Sequence, residues 1–73
     1  MLKFKNIPNY AYDYKYMVFC RDKKDKFTLC FWGAWDDERD ADEVAFIIGG
    51  ETWGTDIIVK TWDKIQKVHI KFI

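Results

Sequence analysis

A chain of 73 residues with 49% apolar and 33% charged side chains holds one domain at most, and its composition is globular rather than disordered. No apolar run reaches the roughly 20 residues that carry a helix across a bilayer, and a formal net charge of zero excludes a uniformly basic nucleic-acid binder. Four Trp, four Tyr and six Phe supply the large side chains that let so short a chain bury a core.

In chain order, Leu2 and Phe4 alternate with Lys3 and Lys5, the pattern of a short strand ending near Pro8. The N-terminus has neither the apolar stretch nor the cleavage site of a signal peptide, so a cytoplasmic location is expected. Residues 14–21 and 26–32 are β-rich runs joined by Asp22-Lys23-Lys24-Asp25, a short polar turn. The simplest register sets Arg21 opposite Lys26, Cys20 opposite Phe27, Val18 opposite Leu29 and Tyr16 opposite Phe31. Tyr16, Val18 and Cys20 then join Phe27, Leu29 and Phe31 on the core side, with Met17, Phe19, Cys30 and Trp32 on the other. In that register Cys20 and Cys30 point to opposite faces, which predicts two buried thiols and no disulfide. The second apolar face is covered by residues 6–12 or 51–55, or it buries against a symmetry mate with help from Trp35 or Trp53.

A helix is predicted over residues 37–48. Asp36 or Asp37 caps its start, Ala41, Val44, Ala45 and Ile48 fall at i, i+3, i+4 and i+7, and Gly49-Gly50 stops it. The run Val-Ala-Phe-Ile-Ile within it is also compatible with a strand. Residues 55–62 read as a strand, Asp63-Lys64 as a turn, and Val68, Ile70 and Phe72, alternating with Lys67, His69 and Lys71, as the last strand. The expected architecture is α+β: a small antiparallel β-sheet of four to five strands with one α-helix packed on one face, in the order β-β-β-α-β-β, forming a single domain over residues 1–73.

Chemistry-bearing motifs are scarce. The chain has no serine, so a Ser-His-Asp arrangement is impossible, and the sole histidine, His69, stands between Lys67 and Lys71. Glycines 33, 49, 50 and 54 form no nucleotide-binding loop. Asp36-Asp37-Glu38-Arg39-Asp40 lacks the alternation and glycine of a calcium loop, and two cysteines on opposite faces do not make a zinc site. A non-catalytic protein without cofactor or metal is expected.

What stands out is how the charge is distributed. Residues 36–56 carry eight acidic side chains against the single base Arg39, whereas the rest of the chain carries eleven basic and four acidic ones. Segregation of this kind creates a field that selects partners and speeds encounters. On the predicted helix, Asp36, Asp40 and Glu43 form one stripe and Glu38 and Asp42 another, with Phe46 and Ile47 projecting away from the apolar face. Six carboxylates over residues 36–43 give about one charge per 2 Å at about 1.5 Å rise per residue, close to the about 1.7 Å per charge of duplex DNA.

Small proteins with this arrangement of charge resemble, as a class rather than by a shared motif, phage and mobile-element inhibitors such as anti-CRISPR proteins. The resemblance implies a nucleic-acid mimic that blocks a basic groove of a host protein. The expected partner-binding residues are Asp36, Asp37, Glu38, Asp40, Asp42, Glu43, Phe46, Glu51, Trp53 and Asp56. One alternative is a small RNA- or ssDNA-binding domain. Its basic face would draw on Lys3, Lys5, Lys15, Arg21, Lys23, Lys24, Lys26, Lys60, Lys64, Lys67, His69 and Lys71, with Tyr10, Tyr12, Tyr14 and Tyr16 stacking bases from one extended strand. The other is a homo-oligomeric structural protein, most simply a homodimer.

Overall fold

The computed structural model describes residues 2–61. The expected strand around Val68, Ile70 and Phe72, with its Asp63-Lys64 turn, lies outside them. Within them the elements run β1 (Lys3–Lys5), a 3-10 turn (Asn9–Asp13), β2 (Tyr16–Arg21), β3 (Thr28–Trp35), α1 (Glu38–Ile48) and β4 (Glu51–Gly54), followed by a helical segment over residues 55–61. The α+β class is as expected, but the sheet is mixed: four strands in the order β1-β3-β2-β4, with β1 parallel to β3 and the other pairs antiparallel.

Central strand β2 organises both layers, because its alternate side chains reach opposite faces. Val18 meets Ala41 and Ala45 of α1, with Tyr16, Trp35 and Ile48 around them. On the reverse face Met17 and Phe19 pack with Leu29, Ala11 of the 3-10 turn and Ile58 of the helical segment, and Phe4, Phe31 and Trp53 close around this cluster. Of the expected second face, Met17 and Phe19 are covered, by Ile7 and Ala11 of the N-terminal segment and by Trp53 and Ile58 as well, whereas Trp32 is exposed and Cys30 lies on the other face. Met17 and Phe19 are fully buried, so they offer nothing to a symmetry mate.

Three further expectations are corrected. Residues 55–61 are helical, not a strand. The β-branched run Thr-Asp-Ile-Ile-Val favours extension locally, but Thr55 and Ile58 sit one turn apart and both are buried. The Thr55 hydroxyl donates to the Tyr14 carbonyl at 2.6 Å, pinning the start of the helix.

Secondly, the hairpin register is different. Tyr16 pairs with Trp35, Val18 with Gly33, Phe19 with Phe31, Cys20 with Cys30 and Arg21 with Leu29. The loop is longer than four residues because two aspartates fold it: Asp22 accepts from Lys24 N at 2.8 Å and Asp25 from Phe27 N at 3.0 Å. Asp25 also accepts from the Thr28 hydroxyl at 2.8 Å, and Arg21 donates to the Lys26 carbonyl at 2.6 Å. Phe27 consequently leaves the core side for solvent. Between Val18 and Phe19 the register shifts, making Trp32 the extra residue of a β-bulge.

Thirdly, the residues around Tyr10 and Tyr12 form a 3-10 turn instead of an extended strand, so the four tyrosines do not line one face. Tyr10 instead meets the rings of Tyr14 and Phe31 edge-on at 6.4 Å.

Helix α1 begins and ends for reasons readable in its residues. Asp37 is extended and accepts from Arg39 N at 2.9 Å, a side-chain N-cap. Gly49, at φ 70°, takes the left-handed position that ends the helix, and Gly50 N donates to the Ala45 carbonyl at 2.7 Å. Gly50 has a separate reason to be glycine: a Cβ there would stand 2.5 Å from the Phe19 carbonyl oxygen. The helix thus returns its chain directly against the backbone of β2.

Hydrogen bonding around the hairpin carries a pH dependence. The Thr28 hydroxyl and Phe27 N–H hold the Asp25 carboxyl below its ordinary range, and the Arg21 guanidinium does the same for Glu51. A carboxylate whose folded pKa is depressed contributes stability above its unfolded value, and that contribution disappears as pH falls through the folded value. The unfolding midpoint should therefore drop on acidification below about pH 4, near the ordinary carboxylate pKa. In Asp25→Asn/Glu51→Gln part of that drop should vanish, as followed by thermal melts from pH 7 to pH 2. An acid slope equal to wild type would show that these two bonds do not stabilise the fold.

Candidate protein-binding surface

Burial of Ala41 and Ala45 fixes the rotation of α1 and so decides which side chains face away from the sheet. Around the helix, at about 100° per residue, the direction opposite that buried stripe belongs to Glu43, with Arg39 and Ile47 about 40° to either side, Phe46 and Asp40 about 60° to either side, and Asp42 farther round beyond Phe46. Phe46 is 89% exposed and Ile47 72% exposed, as expected of residues that project away from the core. Asp40, Asp42 and Glu43 are exposed beside them and form no ion pair among the described residues. Two large apolar groups set among exposed carboxylates and Arg39 make an uncommon outer face, since most surface helices put only polar residues there.

At the N-terminal end of α1 the acids are partly structural. Asp36 accepts from Lys15 N at 3.2 Å, tying the chain before β2 to the helix entrance, and Asp37 is the cap. Glu38 lies toward Tyr16, whose phenol pKa is raised chiefly by the Glu38 charge, with burial, hydrogen bonding to Glu38 and the charges of Asp37 and Asp42 adding to it. Tyr16 therefore reports the negative field at this end of the helix.

The remaining candidates lie elsewhere. Glu51 sits on the reverse sheet face opposite Phe19 and is bound by the Arg21 guanidinium through a two-point contact, one arm being Nη2 to Oε1 at 3.1 Å. Trp53 is on that same reverse face, its ring edge-on to Phe4 at 5.3 Å and packed on the core. Asp56 is exposed at the start of the helical segment and borders an open groove of about 630 Å³. The groove is walled by Tyr12, Tyr14, Tyr16, Lys15, Ile57 and Lys60. Lys15 links the two regions through its backbone, its N–H donating to Asp36 and its carbonyl accepting from Thr55 N, the residue before Asp56.

The structure thus gathers Glu38, Asp40, Asp42, Glu43 and Phe46 on α1, with Asp36 and Asp37 at its head. It separates Glu51, Trp53 and Asp56 from them. Ile47 belongs to the surface although its type alone marks it as core; its position on the helical wheel was the available signal. Arg39 is the single cation among these acids. Trp32, lifted by the bulge, is 53% exposed and stacks on Trp35 at 6.2 Å and 14°, while the Trp35 ring lies where a side chain at Gly33 would go.

Among the described residues, no group of three or more His, Cys, Asp or Glu side chains is placed to hold a metal ion. None of their helices is long and apolar enough to cross a membrane. Comparison with known proteins finds no matching family model, no matching curated protein and no matching solved structure.

Proposed function

We propose that this protein is a non-catalytic binding module whose α1 outer face enters a basic groove of a nucleic-acid-binding protein and blocks it, in the manner of the small inhibitors of phage and mobile elements. The observation that supports this reading most is the exposure of Phe46 and Ile47 among Asp40, Asp42 and Glu43, carboxylates with no ion pair among the described residues. Leaving two large side chains in water forgoes about 1.5–3 kcal/mol of burial each, and a partner that covers them recovers it. The carboxylates supply charge at a spacing similar to phosphates, and a lysine- and arginine-lined groove is the complementary surface. Phe46 and Ile47 add the apolar anchor that distinguishes such a groove from any other cationic surface.

Electrostatic contacts of this type act over about 8 Å at physiological ionic strength, so association should be fast and salt-sensitive. Immobilised protein incubated with extract of its host should retain one or a few basic nucleic-acid-binding proteins at low salt and release them as salt rises. Retention that survives high salt, or that selects acidic proteins, speaks against the proposal.

A further inference from the structure

The two cysteines form a second feature that the acidic surface does not use. Cys20 in β2 and Cys30 in β3 are directly opposed across the antiparallel pair, and side chains of opposed residues share a face. Both are half-buried and unbridged. They stand on the α1 side of the sheet, one rung past the end of β4, whose last partner on β2 is Phe19. Asp22 N donates to the Thr28 carbonyl, so Asp22 with Thr28 and, two residues on, Cys20 with Cys30 are hydrogen-bonded pairs, whose Cα atoms lie about 5.5 Å apart, within the about 4.4–6.8 Å that a disulfide spans. The strand ends cannot slide, because the loop between them is braced by the Asp22, Asp25 and Arg21 hydrogen bonds. Lys5 is the register partner of Cys30 on β1, and Lys3 partners Thr28 two residues earlier. Both lysines are exposed on this same face.

We propose that Cys20 and Cys30 are a thiol–disulfide modification site that takes a small anionic disulfide of the glutathione type. One thiol, as thiolate, attacks a sulfur of the small disulfide, forming a mixed disulfide and releasing one small thiolate. The opposed thiolate then attacks the protein-side sulfur of that mixed disulfide, releasing the second small thiolate and leaving a Cys20–Cys30 bond. The protein thiols are oxidised by two electrons, the small disulfide is reduced to two thiols, and the two protons pass to those leaving groups. Lys3 and Lys5 draw the anionic reagent to the face. The Cβ atoms of a hydrogen-bonded pair lie at the wide end of the range for opposed residues, about 5.5 Å apart, whereas a relaxed disulfide holds them about 3.5–4.5 Å apart. Closure therefore pulls the strands together, which makes the bond readily reversible by excess thiol.

The test is incubation of the full chain in glutathione buffers of increasing oxidation, followed by alkylation and intact mass measurement. The expected result is a monomer that loses both alkylatable thiols, becomes lighter by two hydrogens, and recovers both thiols with dithiothreitol. Cys30→Ser should instead accumulate one glutathione on Cys20, because the resolving thiol is gone. Retention of both thiols, stable glutathione on each cysteine of the wild type, or a disulfide-linked dimer would overturn the proposal.

Discussion

Phe19→Ala lowers the free energy of unfolding by about 3–5 kcal/mol, the range for removing a buried phenyl ring, and leaves the protein largely unfolded at 37 °C. Phe19 is fully buried on the central strand and touches both Phe4, at 5.1 Å, and Phe31, at 6.0 Å. It joins the N-terminal edge strand to the hairpin. A domain of this size has about 0.05–0.15 kcal/mol per residue to lose, so one ring is a large share of the total. The neighbours cannot collapse into the space easily, since Phe4 is also braced by Trp53 and Phe31 by Tyr10. Urea denaturation of the variant checks this. A loss below about 1 kcal/mol, typical of a surface substitution, would show that the reverse-face cluster is not the core.

Asp40→Lys combined with Glu43→Lys should abolish partner binding while lowering the unfolding free energy by no more than about 1–2 kcal/mol, most of it from Asp40, which lies in the first turn of α1 where the helix dipole favours a carboxylate. Both side chains are exposed, and neither caps the helix nor pairs with a base among the described residues. The two changes replace two negative charges by two positive ones within one turn of helix, which sets like charge against a basic groove. Phe46→Ala tests the apolar half of the same surface. It should weaken binding through faster dissociation without altering the salt dependence, because it removes an anchor and not a charge. The three measurements together separate a binding surface from a merely solvated helix face.

Helix α1 was legible in the sequence because an aspartate cap, an apolar stripe at helical spacing and two glycines at the end agreed, and together they outweighed the strand-compatible run Val-Ala-Phe-Ile-Ile. From that, the outward direction of Phe46 and Ile47 follows directly. The hairpin strands were legible too, but their register was not. Assuming the shortest turn hid the loop that Asp22 and Asp25 build with their own side chains, and the resulting slip of three residues exchanges the faces of β3 relative to β2. Cys20 and Cys30, assigned to opposite faces by the short turn, come to stand opposed. The helix over residues 55–61 was hidden by β-branched side chains whose local preference is overridden by burial of Thr55 and Ile58. Strand β4 is too short, at four residues, to show an alternation. Trp53 and Glu51 were placed with the acidic surface by their neighbourhood in sequence. The pairing of β4 with β2 turns them to the reverse face, against Phe4 and Arg21.

The proposal that α1 stands in for a phosphate backbone is tested most directly by anisotropy of a labelled duplex oligonucleotide bound to the captured partner. Titration with this protein should return the signal to that of free duplex, with a midpoint that rises steeply with salt. A ternary complex that keeps the duplex bound while the protein is also bound would contradict it.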